Sequence, residues 1–334
     1  MKKTFKMLAM LAACAALLTA CTKDEVDGDT TDNGGSTPQT EADVPDEVGF
    51  DANGASDSLF SVSATHQVRF SRGNLQYRAS TNTWRFAEHQ FDCIGEDDTN
   101  VAYNYGGWID LFGWGTSGWS SGATYYRPWD VMTQGEGYFP GSDWNNDLTG
   151  AYAEADWAWH NPIVNGGNTS HTWRTLTAEE WKYLLEDRTD AANKWGLATI
   201  GNMHGMVILP DNWTLPAGLS FVPGMDSTLA DNFSQGSSYT YNEWSLMEAA
   251  GAIFLPAAGF RVGLTGDTYH YPDEKVRVDG WNLGGDYWSS SHYDTPANGF
   301  EQRYAYYMFF NARGHKAKGN MHRSFGFSVR PVKD

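Results

Sequence analysis

In the run DWNND, oxygen-bearing side chains recur at every second position as Asp143, Asn145 and Asp147, and Glu154 follows at the twelfth position counted from Asp143. That is the ligand spacing of an EF-hand calcium loop, because a hard cation collects many oxygens and alternate side chains of a tight loop converge on one centre. The sixth position is Leu148, where such a loop needs glycine, and glycine stands instead at Gly150. Calcium is the metal this stretch would take, and a solvated acidic loop is the competing reading.

Aromatic rings offer a second chemistry. The chain has 15 tryptophans, and seven of them fall between Trp108 and Trp159. An indole can lie against the apolar face of a pyranose, but it also fills a core well, and core packing accounts for most of them. Trp119, Trp129 and Trp144 stand among Ser, Gly, Arg and Asp outside apolar runs, which makes them the candidate ligand-binding rings. The stretch GWGTSG at 113–118 is a literal G-x-G-x-x-G, yet WSSGATYYRP follows it and cannot open a helix, so a dinucleotide site is excluded. Its glycines are expected to let the backbone pass between indoles. The nine histidines show no zinc spacing, and there is no G-x-S-x-G elbow. A carboxylate pair for glycoside hydrolysis has no sequence spacing by which to find it. No catalytic residue is assigned, and the chain is read as a non-enzyme with no organic cofactor.

The first twenty residues are of another kind. Lys2, Lys3 and Lys6 precede an apolar run at 7–20 that is too short to span a bilayer, which is the form of a secretion signal. It ends in Leu18, Thr19, Ala20 and Cys21, which resembles the lipobox of bacterial lipoproteins and implies lipid on Cys21. The following TKDE at 22–25 resembles the acidic export tag of Bacteroidetes surface lipoproteins. Only Cys93 is then left, so no internal disulfide can form, and Cys93 in FDCIG reads as a small buried hydrophobe.

From 22 to 57 the chain carries eleven acidic residues against one lysine and almost nothing large and apolar, the composition of a disordered tether. The formal net charge of −18 argues against nucleic acid and anionic lipid surfaces as partners. With 41% hydrophobic and 15% aromatic residues among 334, the remainder can bury a core without disulfides.

The elements that must position these residues begin at 58. Runs at 68–70, 75–77 and 84–86 alternate with polar positions and predict a β-meander. The region 91–173 sustains neither a helical nor a strand period and predicts a packed, loop-rich insertion. TAEE at 177–180 and TYNE at 240–243 are capping boxes, each followed by tryptophan, and predict two helices. MVILP at 206–210 and AIFLP at 252–256 are apolar without alternation, as strands covered on both faces are. GGDYWSSS at 284–291, RYAYYMFF at 303–310 and FGFSVRPV at 325–332 predict a three-stranded closing sheet.

That order of elements is the order of the C-type-lectin-like fold. WRTLTAEEWKYLL, GMVILPDNW, EWSLMEAAGAIFLPAAGFR, DYWSSS and GFSVRPV together resemble FISUMP-type domains, first named from Fibrobacter and abundant in Bacteroidetes lipoproteins. These share the fold of C-type lectins and formylglycine-generating enzymes. The resemblance covers about 60–332 and implies an α+β, C-type-lectin-like domain with mixed, mostly antiparallel sheets, two helices and long aromatic-rich loops. Two departures bear on function. The Glu-Pro-Asn or Gln-Pro-Asp tripeptide of sugar-binding lectins is missing, and only Trp144, Asn145 and Asn146 echo their Trp-Asn-Asp. The C-terminal cysteine pair of formylglycine-generating enzymes is missing too.

The expected organisation is a lipoprotein signal at 1–20, a lipidated Cys21 with an acidic tether to 57, and one domain at 58–334. The expected role is a binding module on the outer face of the bacterial outer membrane, held there by its N-terminal lipid, with a glycan or a protein as ligand. A glycoside hydrolase with an unrecognised carboxylate pair, and a structural accessory of a fimbria or surface layer, are the alternatives.

Overall fold

The first and last strands of the described residues are joined in one small sheet. In the structure, a computed structural model, the strand Gln67–Phe70 lies antiparallel to Phe60–Ser61 on one side and to Val332–Lys333 on the other. The residues described are 48–95, 105–119, 140–225, 228, 230–262, 277–294 and 303–334. All belong to the unit spanning 39–334; the signal, Cys21 and Trp129 lie outside the described residues. No described helix is long and apolar enough to cross a membrane.

The ordered domain starts earlier than composition suggested. Phe50 bridges Ser56, Ala55 bridges Ser71 and is fully buried, and the Asp51 carboxylate accepts from the amides of Asn53 and Ala55. A polar segment can fold when its own side chains satisfy its backbone, as an Asx turn does here. Residues 48–57, assigned above to the tether, are therefore part of the domain.

The three runs expected as a meander are all strands, but they divide between two sheets. Leu75–Arg78 pairs with Thr83–Phe86, with Leu75 opposite Phe86 and Tyr77 opposite Trp84, and on its other edge with Trp108–Ile109. The chain leaves the first sheet at a corner where the Ser71 hydroxyl donates to the Gly73 carbonyl. Gly73 is pressed so closely on Ala87 that a Cβ would sit 2.6 Å from the Ala87 oxygen.

The closing sheet has the order Gly284–His292, Tyr304–Asn311, Gly314–His322, all antiparallel. Its third strand is thus GHKAKGNMH and not the run at 325–332. That strand is an edge carrying Lys316 and Lys318, with Ala317 and Gly319 its buried positions, so it lacks the apolar pattern of a strand. The run at 325–332 threads between elements through single bridges: Gly326 to Arg261, Phe327 to Phe112, and Ser328 to Tyr287. The strand Gly284–His292 separates two cores. Tyr287 packs with Trp181, Leu197, Met206 and Phe310, and its neighbour Trp288 packs with Trp114, Trp157, Tyr307 and Phe327.

A four-stranded sheet of order Ser237–Tyr239, Trp195–Ile200, Met203–Ile208, Ile253–Pro256 carries the two expected apolar strands, paired with each other. Both capping boxes form. The Thr177 hydroxyl accepts from the Glu180 amide and the Glu180 carboxylate from the Thr177 amide, opening Ala178–Lys182, which runs into a π turn at Tyr183–Asp187. Thr240 and Glu243 do the same for Tyr241–Ala249, and the chain turns out of that helix at Gly251 with φ +97. A further short helix, Trp157–His160, lies in the region read as irregular; the Asp156 carboxylate caps it by accepting from the Ala158 amide. The fold is mixed α+β, mostly sheet with few helices.

Candidate functional site

Most indoles are core. Trp84, Trp114, Trp157, Trp173, Trp181, Trp244 and Trp288 are all buried, and several also donate to backbone carbonyls or hydroxyls. GWGTSG shows why a glycine-rich stretch is needed among them. Gly115 and Gly118 take φ +73 and +91, and Thr116 turns back to donate to Gly113 and to accept from the Trp157 indole.

Trp119 comes out of this turn to the surface, with 40% of its area exposed. Ser117 fixes the approach: its hydroxyl accepts from the Trp119 amide and donates to the Glu154 carbonyl at 2.6 Å. Trp144 is half-buried. Its carbonyl accepts from Arg323 at 2.6 Å, and the Arg303 guanidinium lies 6.0 Å from its ring centre. Arg323 is sandwiched behind it over the Trp114 ring at 4.3 Å and donates also to the Tyr304 carbonyl. Burial lowers the Arg323 pKa, opposed by the charges of Asp147 and Asp143. Arg323 thus ties the backbone of Trp144 to the Trp114 ring. Trp129 lies outside the described residues.

The four residues of the calcium spacing go to different partners. Asp143 accepts from the amide and side chain of Asn145. Asp147 accepts from the His292 amide at 2.8 Å and meets its ring Nδ1 at 2.7 Å, while Nε2 of that ring faces Asp294 at 3.0 Å. Glu154 holds Nδ1 of His160 at 2.7 Å with one oxygen and Nε2 of His171 at 2.8 Å with the other. The His160 bond, aided by His171, keeps the Glu154 carboxyl below the usual range. Leu148, at the sixth position, is buried and its amide donates to the Ser290 carbonyl, so the loop is fastened to the closing sheet there. Among the described residues no group of three or more His, Cys, Asp or Glu is placed to hold a metal ion.

Beside Trp144 the half-exposed side of the closing sheet adds rings that sequence reasoning passed over. Tyr293 packs edge-on against Tyr306 with ring centres 5.0 Å apart and lies 6.4 Å from Tyr304, and Lys318 sits over Tyr306 at 4.9 Å. Tyr304 and Tyr306 are two apart on one strand and share a face, a spacing that could have signalled them. Surface rings flanked by carboxylates, imidazoles and Arg303 can stack on an apolar ligand face and hydrogen-bond hydroxyls at its rim.

Asp156, Asp110 and Cys93 are perturbed by structural burial. Burial raises Asp156 to about 6 although it accepts from the Thr175 amide and hydroxyl, and burial raises Asp110 to about 6 although it accepts from the Ile94 amide. The Cys93 thiol is pushed up to about 12 by burial and accepts from the Trp281 indole at 3.2 Å, an environment without a reactive thiolate.

Comparison of the chain with models of known protein families gave no match, and neither curated protein sequences nor solved structures gave one.

Proposed function

We propose that this protein is a cell-surface binding module, held at the outer membrane by lipid on Cys21 and taking a glycan on the aromatic surface around Trp119 and Trp144. The observation that carries the reading is the exposure of Trp119. In the same stretch Trp114 and Trp157 are fully buried whereas Trp119 keeps 40% of its area exposed, and an exposed indole held by a fixed turn suits a sugar face. The arrangement is read as C-type-lectin-like. Support comes from the pairing of the first and last strands, the two capped helices between them, and the closing sheet. The likeness of several motifs to FISUMP-type domains points the same way.

The test is a glycan array probed with residues 39–334, in calcium and in chelator. Hits that weaken about tenfold or more in Trp119→Ala are expected, since stacking on an aromatic ring is worth about 0.5 to 1.5 kcal/mol beyond its area. An array blank in both conditions overturns the glycan reading and moves the surface to protein partners. If Asp143, Asn145, Asp147 and Glu154 take calcium, the hits need calcium and Asp143→Ala abolishes them even in calcium; hits unchanged in chelator exclude calcium from recognition.

A further inference from the structure

Asp286 stands on an outer strand of the closing sheet, and among the described residues no side chain binds its carboxyl. On Gly284–His292 it shares a face with Trp288, directly across from Phe309, and Tyr307 follows Phe309 on that face. On its other side Gly259 bridges Gly285 in parallel register, which brings Phe260 alongside Asp286. The Ser328 amide donates to the Asp286 carbonyl, so Phe327 closes the same side. The rings form a continuous wall: Tyr307 to Phe309 at 5.7 Å, Tyr307 to Phe327 at 4.7 Å and Phe260 to Phe327 at 6.3 Å between centres. Asp286, Phe260 and Phe309 each keep part of their surface accessible, so the enclosure opens to water.

Among the described residues no side-chain hydrogen bond or ion pair reaches the Asp286 carboxyl, and burial alone holds it up at about 8. The charged groups on the strands around it are engaged or distant. Arg277 and Asp279 pair with each other at 3.4 Å, and exposed Lys316 stands beyond Phe309. A half-buried carboxyl without a partner among the described side chains is unfavourable, and a cation removes the penalty. Ring faces attract cations as well, through their quadrupoles.

We propose that Asp286 with Phe260, Phe309, Phe327 and Tyr307 is a receptor for a quaternary or fully methylated ammonium group. The wall selects within the class of cations. A primary ammonium brings three donors to a site whose described walls are mostly aromatic ring, leaving donors unpaired, whereas methylated nitrogen needs no hydrogen bond and presents polarised methyls to rings. This site is separate from the surface at Trp119 and does not rest on the glycan reading.

The probe is choline, titrated calorimetrically into the full chain in detergent, against its uncharged isostere in which carbon replaces the quaternary nitrogen. Choline is expected to bind about tenfold or more tightly than the isostere, and Asp286→Asn to abolish that preference. Phe260→Leu is expected to weaken choline several-fold. Equal binding of choline and the isostere to the unaltered chain overturns the proposal, as does absence of any heat at tens of millimolar choline. A preference for choline that survives in Asp286→Asn overturns it too. The comparison of two ligands on the unaltered chain stands even if a variant misfolds.

Discussion

At the scale of the residue, Asp286 makes a prediction independent of any ligand. Its carboxyl is raised by burial from an ordinary value near 3.8 to about 8, so between those limits the unfolded chain is ionised there while the folded chain holds a proton. The unfolded state then binds fewer protons, and stability falls as pH rises, by up to about 1.4 kcal/mol per unit for one such group. Asp110 and Asp156 act with the same sign over the shorter span to about 6. Asp286→Asn removes the Asp286 contribution alone. The melting temperature of the variant is expected to exceed that of the unaltered chain by an amount that grows from pH 4 to pH 8; a difference constant across that range would show that Asp286 ionises normally. Choline affinity is expected to rise over the upper part of this range, as the free carboxyl gives up its proton.

At the scale of the element, the two helices test how far a local signature predicts energy. Both begin with the same reciprocal cap, and Thr177→Ala and Thr240→Ala are each expected to cost about 1 kcal/mol in urea unfolding. Their glutamates should differ. Glu243 sits at the surface with only its cap, whereas Glu180 also takes a two-pronged bond from Arg174 at 2.8 Å through each oxygen, and Arg174 in turn holds Asp334. Glu180→Ala is therefore expected to cost more than Glu243→Ala by about 1 kcal/mol. Equal losses would show the Arg174 pair to be neutral. The boxes themselves were legible because a cap is a matter of four consecutive residues. The edge strand Gly314–His322 was not, since its pattern follows from lying beside a hairpin with one side open to water.

At the scale of the molecule, the last four residues hold the domain closed. Val332 is fully buried and exchanges backbone hydrogen bonds with Arg174, and it pairs with Phe70, while Lys333 pairs with Arg69. Deleting residues 331–334 removes one buried valine, these backbone bonds and the Asp334 contacts, and is expected to cost roughly 3 to 5 kcal/mol. Thermal unfolding measures it. An unchanged midpoint would mean that the N-terminal strand is held by Phe60–Ser61 alone.

By itself the sequence determined what depends on neighbours along the chain. It contained both helix starts, the two apolar strands followed by or ending in LP, the alternation of Leu75 and Tyr77, and the core role of most tryptophans. Tertiary structure alone decided what depends on residues far apart. It drew residues 48–57 into the domain and paired Val332 with Phe70. It also gave Asp147 to His292 and Glu154 to His160 and His171, so that a ligand spacing read along the loop became two separate carboxylate–imidazole groups. Above all it set Asp286 against Phe309, Phe260 and Phe327, which are 23 to 41 positions away. A carboxylate in the run GGDYW looks ordinary in sequence, because the burial that perturbs it comes from strands the chain reaches only by folding.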